Sequence, residues 1–513
     1  MNVSMKRYLK VLPALLTPIF LTLSFPDHDQ GWLIWIALVP LLVVCARLHP
    51  AVSFCLGLVV GMLGLFGIFG WAFDIPGFRY FHGLAAAFYL GLYPAAWCAI
   101  VSSGLRIGLA PIIVAPLAWV SLDFLKIHAG FLSFPWASLA HSQHRYPVVL
   151  QISAITGEYG VTFLIVLVNA AIASMLLKSG GCRQQVFAAA AVFSVLVFGI
   201  FQPSTGLPSR YFRVAAVQPC ISPGEQDRDP GQTNTLNRLE SLTAKAALSS
   251  PGLIVWPETA VLNLPSSAKI VGRLEDKSRT HDAHLLIGAS ERVKFNNYSL
   301  DRASSQSVRS YNAAYLIHTA IGPPQEPYRK NVLVPFGEYL PLSDRIKWPS
   351  WFVAEGFQTM PGDRLTIFTL QDGTKAGVLI CWENLFPQLA RNEVMAGADL
   401  LVNLVNDAWL GKKHAPAQHS SASVLRAVEN GVPVVVASNW GPSLIIDPKG
   451  RILKRSDAFS YDTVTGDVPL QKKKTVYTRY GDLFAWICIT TMFLVFICIA
   501  VNSISLKKRA GIR

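Results

Sequence analysis

Three short segments each set a reactive side chain directly after an apolar run. They are Ile254-Val255-Trp256-Pro257-Glu258, Tyr328-Arg329-Lys330 followed by Val334-Pro335-Phe336-Gly337-Glu338-Tyr339, and Val378-Leu379-Ile380-Cys381-Trp382-Glu383-Asn384. The carboxyl ends of strands are where α/β proteins assemble their sites. A cysteine nucleophile needs a group to take its proton and a donor to hold the oxyanion that forms. Glu258, Lys330 and Cys381 are residue types that supply all three parts. Taken singly they are weak signals, since a cysteine ending an apolar strand is more often a packing residue. Cys381 differs because Trp382, Glu383 and Asn384 follow it in place of a continued apolar run, which puts the thiol at a turn among polar groups. Nucleophile and core residue both stay open on this evidence alone.

The elements that must position these residues alternate. Arg213–Gln218, Leu253–Trp256, His284–Ala289, Ala376–Cys381, Asp399–Asn406 and Val432–Ser438 read as strands, with Thr233–Leu248, Pro387–Ala396 and Ala415–Asn430 as helices between them. Runs too apolar for a sheet wetted on one face predict an α/β domain whose sheets are covered by helices. No internal repeat is visible, and a polar loop is expected around Ser304–Ser310.

That domain is only part of the 513-residue chain. With 52% hydrophobic and 15% charged residues and a mean hydropathy of +0.38, the whole cannot be a soluble protein. Residues 1–202 hold only 10 Lys and Arg and 5 Asp and Glu, against 31 and 25 in 203–480, so the first part reads as membrane. Spans able to cross about 30 Å of hydrocarbon are expected at Val52–Phe73, Leu84–Leu105, Val161–Leu177 and Leu483–Ile504. Shorter or Pro-interrupted ones lie at Val11–Phe25, Trp32–Ala46, Leu109–Leu125 and Val186–Phe201, making eight. Lys6, Arg7 and Lys10 before the first also describe a signal peptide, but no small-x-small cleavage site follows at Ser24-Phe25-Pro26-Asp27, and the span is expected to be retained.

Placing the N-terminus in the cytoplasm puts Lys6, Arg7, Lys10, Arg47, Arg106, Lys178, Arg183, Lys507, Lys508, Arg509 and Arg513 inside. Arg79, Lys126 and Arg145 then lie in the short outer loops, and Lys472, Lys473, Lys474 and Arg479 in the long outer segment. The expected organisation is a seven-span membrane domain, 1–202, an external catalytic domain, 203–480, and an eighth span with a basic cytoplasmic tail, 481–513. The net charge of +14 is spread over all three parts, so no nucleic-acid-binding domain is expected. The eight cysteines include no CxxC or Cys/His spacing, and no zinc site or disulfide framework is expected.

The order and context of Glu258, Lys330 and Cys381 resemble the Glu-Lys-Cys triad of the nitrilase (carbon–nitrogen hydrolase) superfamily and, within it, the apolipoprotein N-acyltransferase family. Further motifs carry the resemblance: Phe134-Pro135-Trp136 with Ser142-Gln143, Asn406-Asp407-Ala408-Trp409, Pro416-Ala417-Gln418-His419, and Tyr477-Thr478-Arg479-Tyr480-Gly481-Asp482 before the last span. The resemblance implies a polytopic α-helical membrane domain plus an α/β nitrilase-like αββα sandwich. It implies an acyltransferase of the bacterial inner membrane that uses no cofactor, working as a monomer on a phospholipid donor and an apolipoprotein acceptor in the lipid bilayer. Cys381 would be nucleophile, Glu258 base and Lys330 the oxyanion stabiliser, with Glu338, Trp382 and Glu383 in support. One departure stands out: family members tend to carry a tryptophan several residues after the first-strand glutamine, whereas Gln218 is followed by Pro219-Cys220-Ile221 and then a polar stretch.

A loop over 340–357 holds Trp348, Trp351 and Phe352. It reads either as folded onto the core or as an aromatic substrate arm at the lipid interface. His414 and His419 lack a third ligand motif, so no metal is expected. Arg426 and Glu429 suit a structural pair, and Asp123 and Glu158, costly in lipid, must face a polar cavity or the interface. The rivals to acyl transfer are a membrane-tethered amidase, for which one span would suffice, and a transporter or receptor with an inert α/β domain.

Overall fold

The computed structural model describes residues 11–509 except 27, 179–180, 202–207, 230, 295–307, 319–324, 350–358, 412–414 and 472–473. The chain divides into two compact units, Met1–Pro203 with Tyr480–Arg513, and Ser204–Arg479.

The first unit is helical. Among the described residues Pro50–Ile68, Tyr80–Arg106, Glu158–Leu176 and Cys182–Phe201 are long and apolar enough to cross a membrane. The other predicted runs are helical too, at Leu16–Ser24, Pro111–Ile127 and Leu483–Arg509, with Ile34–Ala37 and Val39–Cys45 as two pieces. That break has a cause in the sequence, because Pro40 has no N–H and sits in the first turn of the second piece. Backbone groups freed in an apolar bundle must be satisfied internally. Asn169 does this, accepting the Leu38 N–H at 2.8 Å and donating to the Ile34 carbonyl at 2.9 Å. The span expected at Val52–Phe73 ends at Ile68, where a 3-10 turn, Gly70–Asp74, takes over.

Asp123 and Glu158 both prove buried and paired. Lys126 Nζ lies 2.7 Å from Asp123, and His141 Nε2 lies 3.4 Å from Glu158. Asp123 and Lys126 line a cavity of about 110 Å³ whose other walls are mainly apolar.

The second unit holds twelve described strands: β1 (Arg210–Gln218), β2 (Leu253–Val261), β3 (His284–Lys294), β4 (Val308–Ile317), β5 (Tyr328–Arg329), β6 (Phe368–Thr369), β7 (Lys375–Ile380), β8 (Leu400–Val405), β9 (Val434–Ser438), β10 (Leu444–Ile446), β11 (Ile452–Arg455) and β12 (Asp462–Leu470). They form two six-stranded sheets in the orders β12-β1-β2-β3-β4-β5 and β11-β10-β9-β8-β7-β6. In each, three central strands are parallel and the flanking ones antiparallel. The same succession of pairings thus occurs twice, a topological repeat that leaves no trace in the amino-acid sequence.

Strand β1 shows why the runs looked continuously apolar. Val214 and Ala216 join the core between the sheets, while Ala215 and Val217 join a second core against the helices Thr233–Ala247 and Ala268–His281. Helices Pro387–Met395 and Ala415–Asn430 belong to the second half, and the latter is buried along most of its length. The layers are therefore helix, sheet, sheet, helix.

The six expected strands are present with small boundary shifts. Strand β4 corrects the expectation of a polar loop as far as Ser310, because Val308–Ile317 pairs along its full length with β3. The helix Ala268–His281 was also unforeseen, its polar residues outnumbering a narrow apolar stripe.

Gly288 on β3 faces the end of β2 that carries Glu258. A Cβ there would meet the Pro257 carbonyl oxygen and stand 2.7 Å from Glu258 Cα, both backbone atoms that cannot yield cheaply. We expect Gly288→Ala to destabilise the unit by about 1–3 kcal/mol, read as a lowered unfolding midpoint in detergent. An unchanged midpoint would mean that the Glu258 backbone is not held against β3.

Candidate active site

The ends of β2, β5 and β7 and the start of the loop after β8 converge on one cluster. The β2–β3 register shifts between Trp256 and Val261, and Thr259 takes a φ of 48°, a left-handed value that a β-branched residue rarely adopts. This irregularity follows Glu258 directly. The carboxylate is buried, accepting from Asn312 Nδ2 at 2.7 Å and from the Asn406 backbone N–H at 2.8 Å.

Lys330 continues the β4–β5 pairing, its N–H bonded to the Asn312 carbonyl at 2.8 Å. Arg329 beside it is fixed by two bonds to Glu291, at 2.8 and 3.0 Å. The fully buried Lys330 ammonium lies 2.9 Å from Glu338 Oε1 and 3.7 Å from Glu258 Oε1. Glu338 is braced by the Val334 N–H at 2.7 Å.

Cys381 opens the 3-10 turn Cys381–Leu385 and takes a φ of 55°. Strained backbone at the end of a strand presents a side chain where a regular strand would not. The residue is part-exposed and its thiol hydrogen-bonds the Glu258 carboxylate. Glu258, Lys330 and Cys381 lie together, with Glu338 against the lysine.

The electrostatics follow from burial. It pushes Glu258 above the ordinary carboxylate value, opposed by Lys330 and reinforced by Glu338. The Cys381 thiol is driven well above its usual range by burial and then by Glu258, with Lys330 pulling the other way. Burial alone would depress Lys330, but Glu338, Cys381 and Glu258 outweigh it and raise its pKa. Burial thus favours the neutral thiol, while the surrounding acidic groups hold Lys330 in its charged form.

Glu383 does more than neighbour Cys381. Its two oxygens accept from the Ile380 N–H at 2.8 Å, the Tyr328 hydroxyl at 2.9 Å, and the Asn331 and Val332 N–H groups at 2.7 and 3.0 Å. One buried carboxylate thereby ties the strand before Cys381 to the segment around Lys330. Trp382 adds a bond from Nε1 to the Val332 carbonyl at 2.7 Å and an edge-on contact with Phe386 at 5.1 Å.

Trp348 donates from Nε1 to the Pro341 carbonyl at 2.7 Å and meets Phe336 edge-on at 5.1 Å. Trp351, Phe352 and His414 lie outside the described residues. Arg426 and Glu429 do pair, at 2.8 Å, and Arg426 also donates to the Asn384 and Leu385 carbonyls. Gln218 crosses to Ser443 and Ser456, while Asn439 clamps Ile221 through both of its backbone groups, which organises the segment that lacks the family's tryptophan.

Sequence reasoning missed Asn312, and it quoted Asn406, Asp407 and His419 within motifs, without the Asn406 N–H bond to Glu258 or the buried pairing of Asp407 with His419, 2.9 Å apart. Asn312 was hidden because β4 was not foreseen, although Tyr311, Ala313, Tyr315 and Ile317 alternate as a strand should.

Residues 213–476 match the carbon-nitrogen hydrolase family, and residues 18–171 match the apolipoprotein N-acyltransferase N-terminal domain. An apolipoprotein N-acyltransferase of Geobacter metallireducens is 33% identical over 503 residues, covering 93% of both chains. The chain belongs to the apolipoprotein N-acyltransferase family. Further relatives of that name are 29% identical in Chlorobaculum tepidum, covering 93% of both chains, and 28% identical in Treponema denticola, covering 96% of this chain and 97% of that one. A carbon-nitrogen hydrolase fold joined to several apolar helices is thus this family member's architecture, and it is a multi-pass bacterial membrane protein.

Removing Glu383 tests its bracing role. Glu383→Ala leaves a hydroxyl and three N–H groups buried without an acceptor, each costing about 1–3 kcal/mol and not additively. We expect a loss of at least about 3 kcal/mol, measured by chemical denaturation. A loss under about 1 kcal/mol would show that these donors find other partners.

Proposed function

We propose that the protein transfers an acyl chain from a membrane phospholipid to the N-terminal amine of a diacylglyceryl-cysteine apolipoprotein, through a thioester on Cys381. The observation that carries this reading is the Cys381 thiol bonded to Glu258 beside the buried Lys330 ammonium. Membership of the family supplies the class of donor and acceptor.

The chemistry is two acyl transfers. Glu258 takes the thiol proton as sulfur attacks the ester carbonyl, and Lys330 stabilises the oxyanion, an effect worth about 2.7–4 kcal/mol per donor. Collapse expels the lysophospholipid alkoxide, which takes the proton back from Glu258, leaving a thioester. The acceptor amine then attacks, giving its proton to Glu258; the thiolate departs and is reprotonated. A covalent carrier suits two large lipidic substrates, since they need not occupy the site together. The thioester needs only one chain, so a monomer suffices.

We place both termini in the cytoplasm and 203–480 on the outer face, with seven spans in 1–202 and an eighth in 481–513. The bias of Lys and Arg among the loops supports this, as do the apolar helices at those positions. Trp348, Trp351 and Phe352 serve in this reading as an arm toward the lipid. An amidase would need one tether, not eight spans.

The test is purified protein in phospholipid micelles with a diacylglyceryl-cysteine peptide. N-acylated peptide and lysophospholipid should form together; free fatty acid with no acylated peptide would favour the hydrolase. Cys381→Ser and Cys381→Ala should abolish transfer while leaving a folded protein, and activity retained in either would end the covalent reading.

The pH dependence is a separate check. Protonated Glu258 cannot accept the thiol proton, and its pKa lies above the ordinary 4.5. Acyl loading should therefore fall as pH drops, with a midpoint above 4.5, and Glu258→Gln should abolish loading across the range. A wild-type midpoint at or below 4.5 would contradict the role given to burial.

A further inference from the structure

The turn Cys381–Leu385, the loop after β8 and the first turns of the helix Ala415–Asn430 bring a thiol, a carboxylate and an imidazole together. One ligand atom from each of Cys381, Asp407 and His419 lies within 4.8 Å of the other two. Asp407 and His419 are buried, with Nδ1 2.9 Å from Oδ1. The acyl-transfer steps use neither residue.

We propose that these three side chains form a binding site for a soft divalent cation of the zinc type, and that its occupancy excludes acyl loading. Cysteine, histidine and aspartate are zinc's ligand types, and tetrahedral bonds of about 2.0–2.3 Å set ligand atoms roughly 3.3–3.6 Å apart. The Asp407–His419 pair would open by a few tenths of an ångström and the sulfur close by about one ångström at most. The cation takes the place of the thiol proton and of the proton between Asp407 and His419, both of which pass to solvent. Glu258, Glu338 and Asp407 supply negative charge around the position, with the Lys330 ammonium among them. A cation held by three protein ligands keeps a fourth position for water.

Metal and acyl chain then compete for one sulfur: a bound cation blocks attack on the donor ester, and a thioester removes the thiolate from the ligand set. This competition rests on Cys381 being the nucleophile proposed above, whereas the site itself does not.

The experiment uses the full-length protein in detergent. Cadmium chloride should produce a thiolate-to-metal charge-transfer band in the wild type beyond that of Cys381→Ser, which corrects for the other cysteines. His419→Ala and Asp407→Asn should each weaken cadmium binding by at least about tenfold, and zinc chloride should inhibit acyl loading reversibly, relieved by EDTA. Protein already acylated from phospholipid should lack the extra band. The proposal is overturned if the wild type shows no extra band, if both variants bind as tightly as the wild type, or if acylated protein keeps the band. Should a variant fail to fold, the Cys381→Ser and acylated samples still decide. A band in protein that never forms a thioester would keep the metal site and remove only the proposed nucleophile.

Discussion

A fully buried ammonium ion between two carboxylates is the interaction on which this molecule depends. Taking a charge that size out of water costs several kcal/mol even after relaxation, and only well-placed counter-charges offset it. Lys330 obtains them from Glu338, which depends on the Val334 N–H, and from Glu258, which depends on Asn312 and the Asn406 backbone. The two sheets, the irregular end of β2 and the β4–β5 pairing are what bring those groups within reach. Once the cation is fixed, it moderates the rise that burial imposes on the Cys381 thiol.

Strain gathers at the same place. Thr259 and Cys381 both have left-handed backbones, one next to the Glu258 carboxylate and one at the thiol itself. Glu383 holds one of these turns through four donors, and the Asn406 side chain reaches Thr259 Oγ1 at the other. The residues that hold the turns are polar, buried and satisfied, so they rigidify the site.

Glu258, Lys330 and Cys381 could be singled out because each ends an apolar run, a local signal that survives without a structure. Their supports could not. Asn312 lies in a strand whose neighbours Ser304–Ser310 look like a loop, and Asn406 acts through a backbone N–H that no side-chain pattern can reveal. Asp407 and His419 sit twelve residues apart in consecutive helical turns, and the pairing of β7 with β8 brings them to Cys381. Glu383 was found as a neighbour of Cys381, but its partners around Lys330 are remote in sequence. In the helical unit the apolar runs were plain, while the role of Asn169 was hidden because its partners, Ile34 and Leu38, precede it by more than a hundred residues.

The most direct test loads the purified protein from phospholipid carrying an isotopically labelled acyl chain and maps the adduct by mass spectrometry, in the wild type and in Lys330→Ala. The account predicts one labelled acyl group per wild-type chain, on the peptide containing Cys381, and little or none in a folded Lys330→Ala. No label on Cys381 in the wild type, or equal labelling without the ammonium, would contradict it.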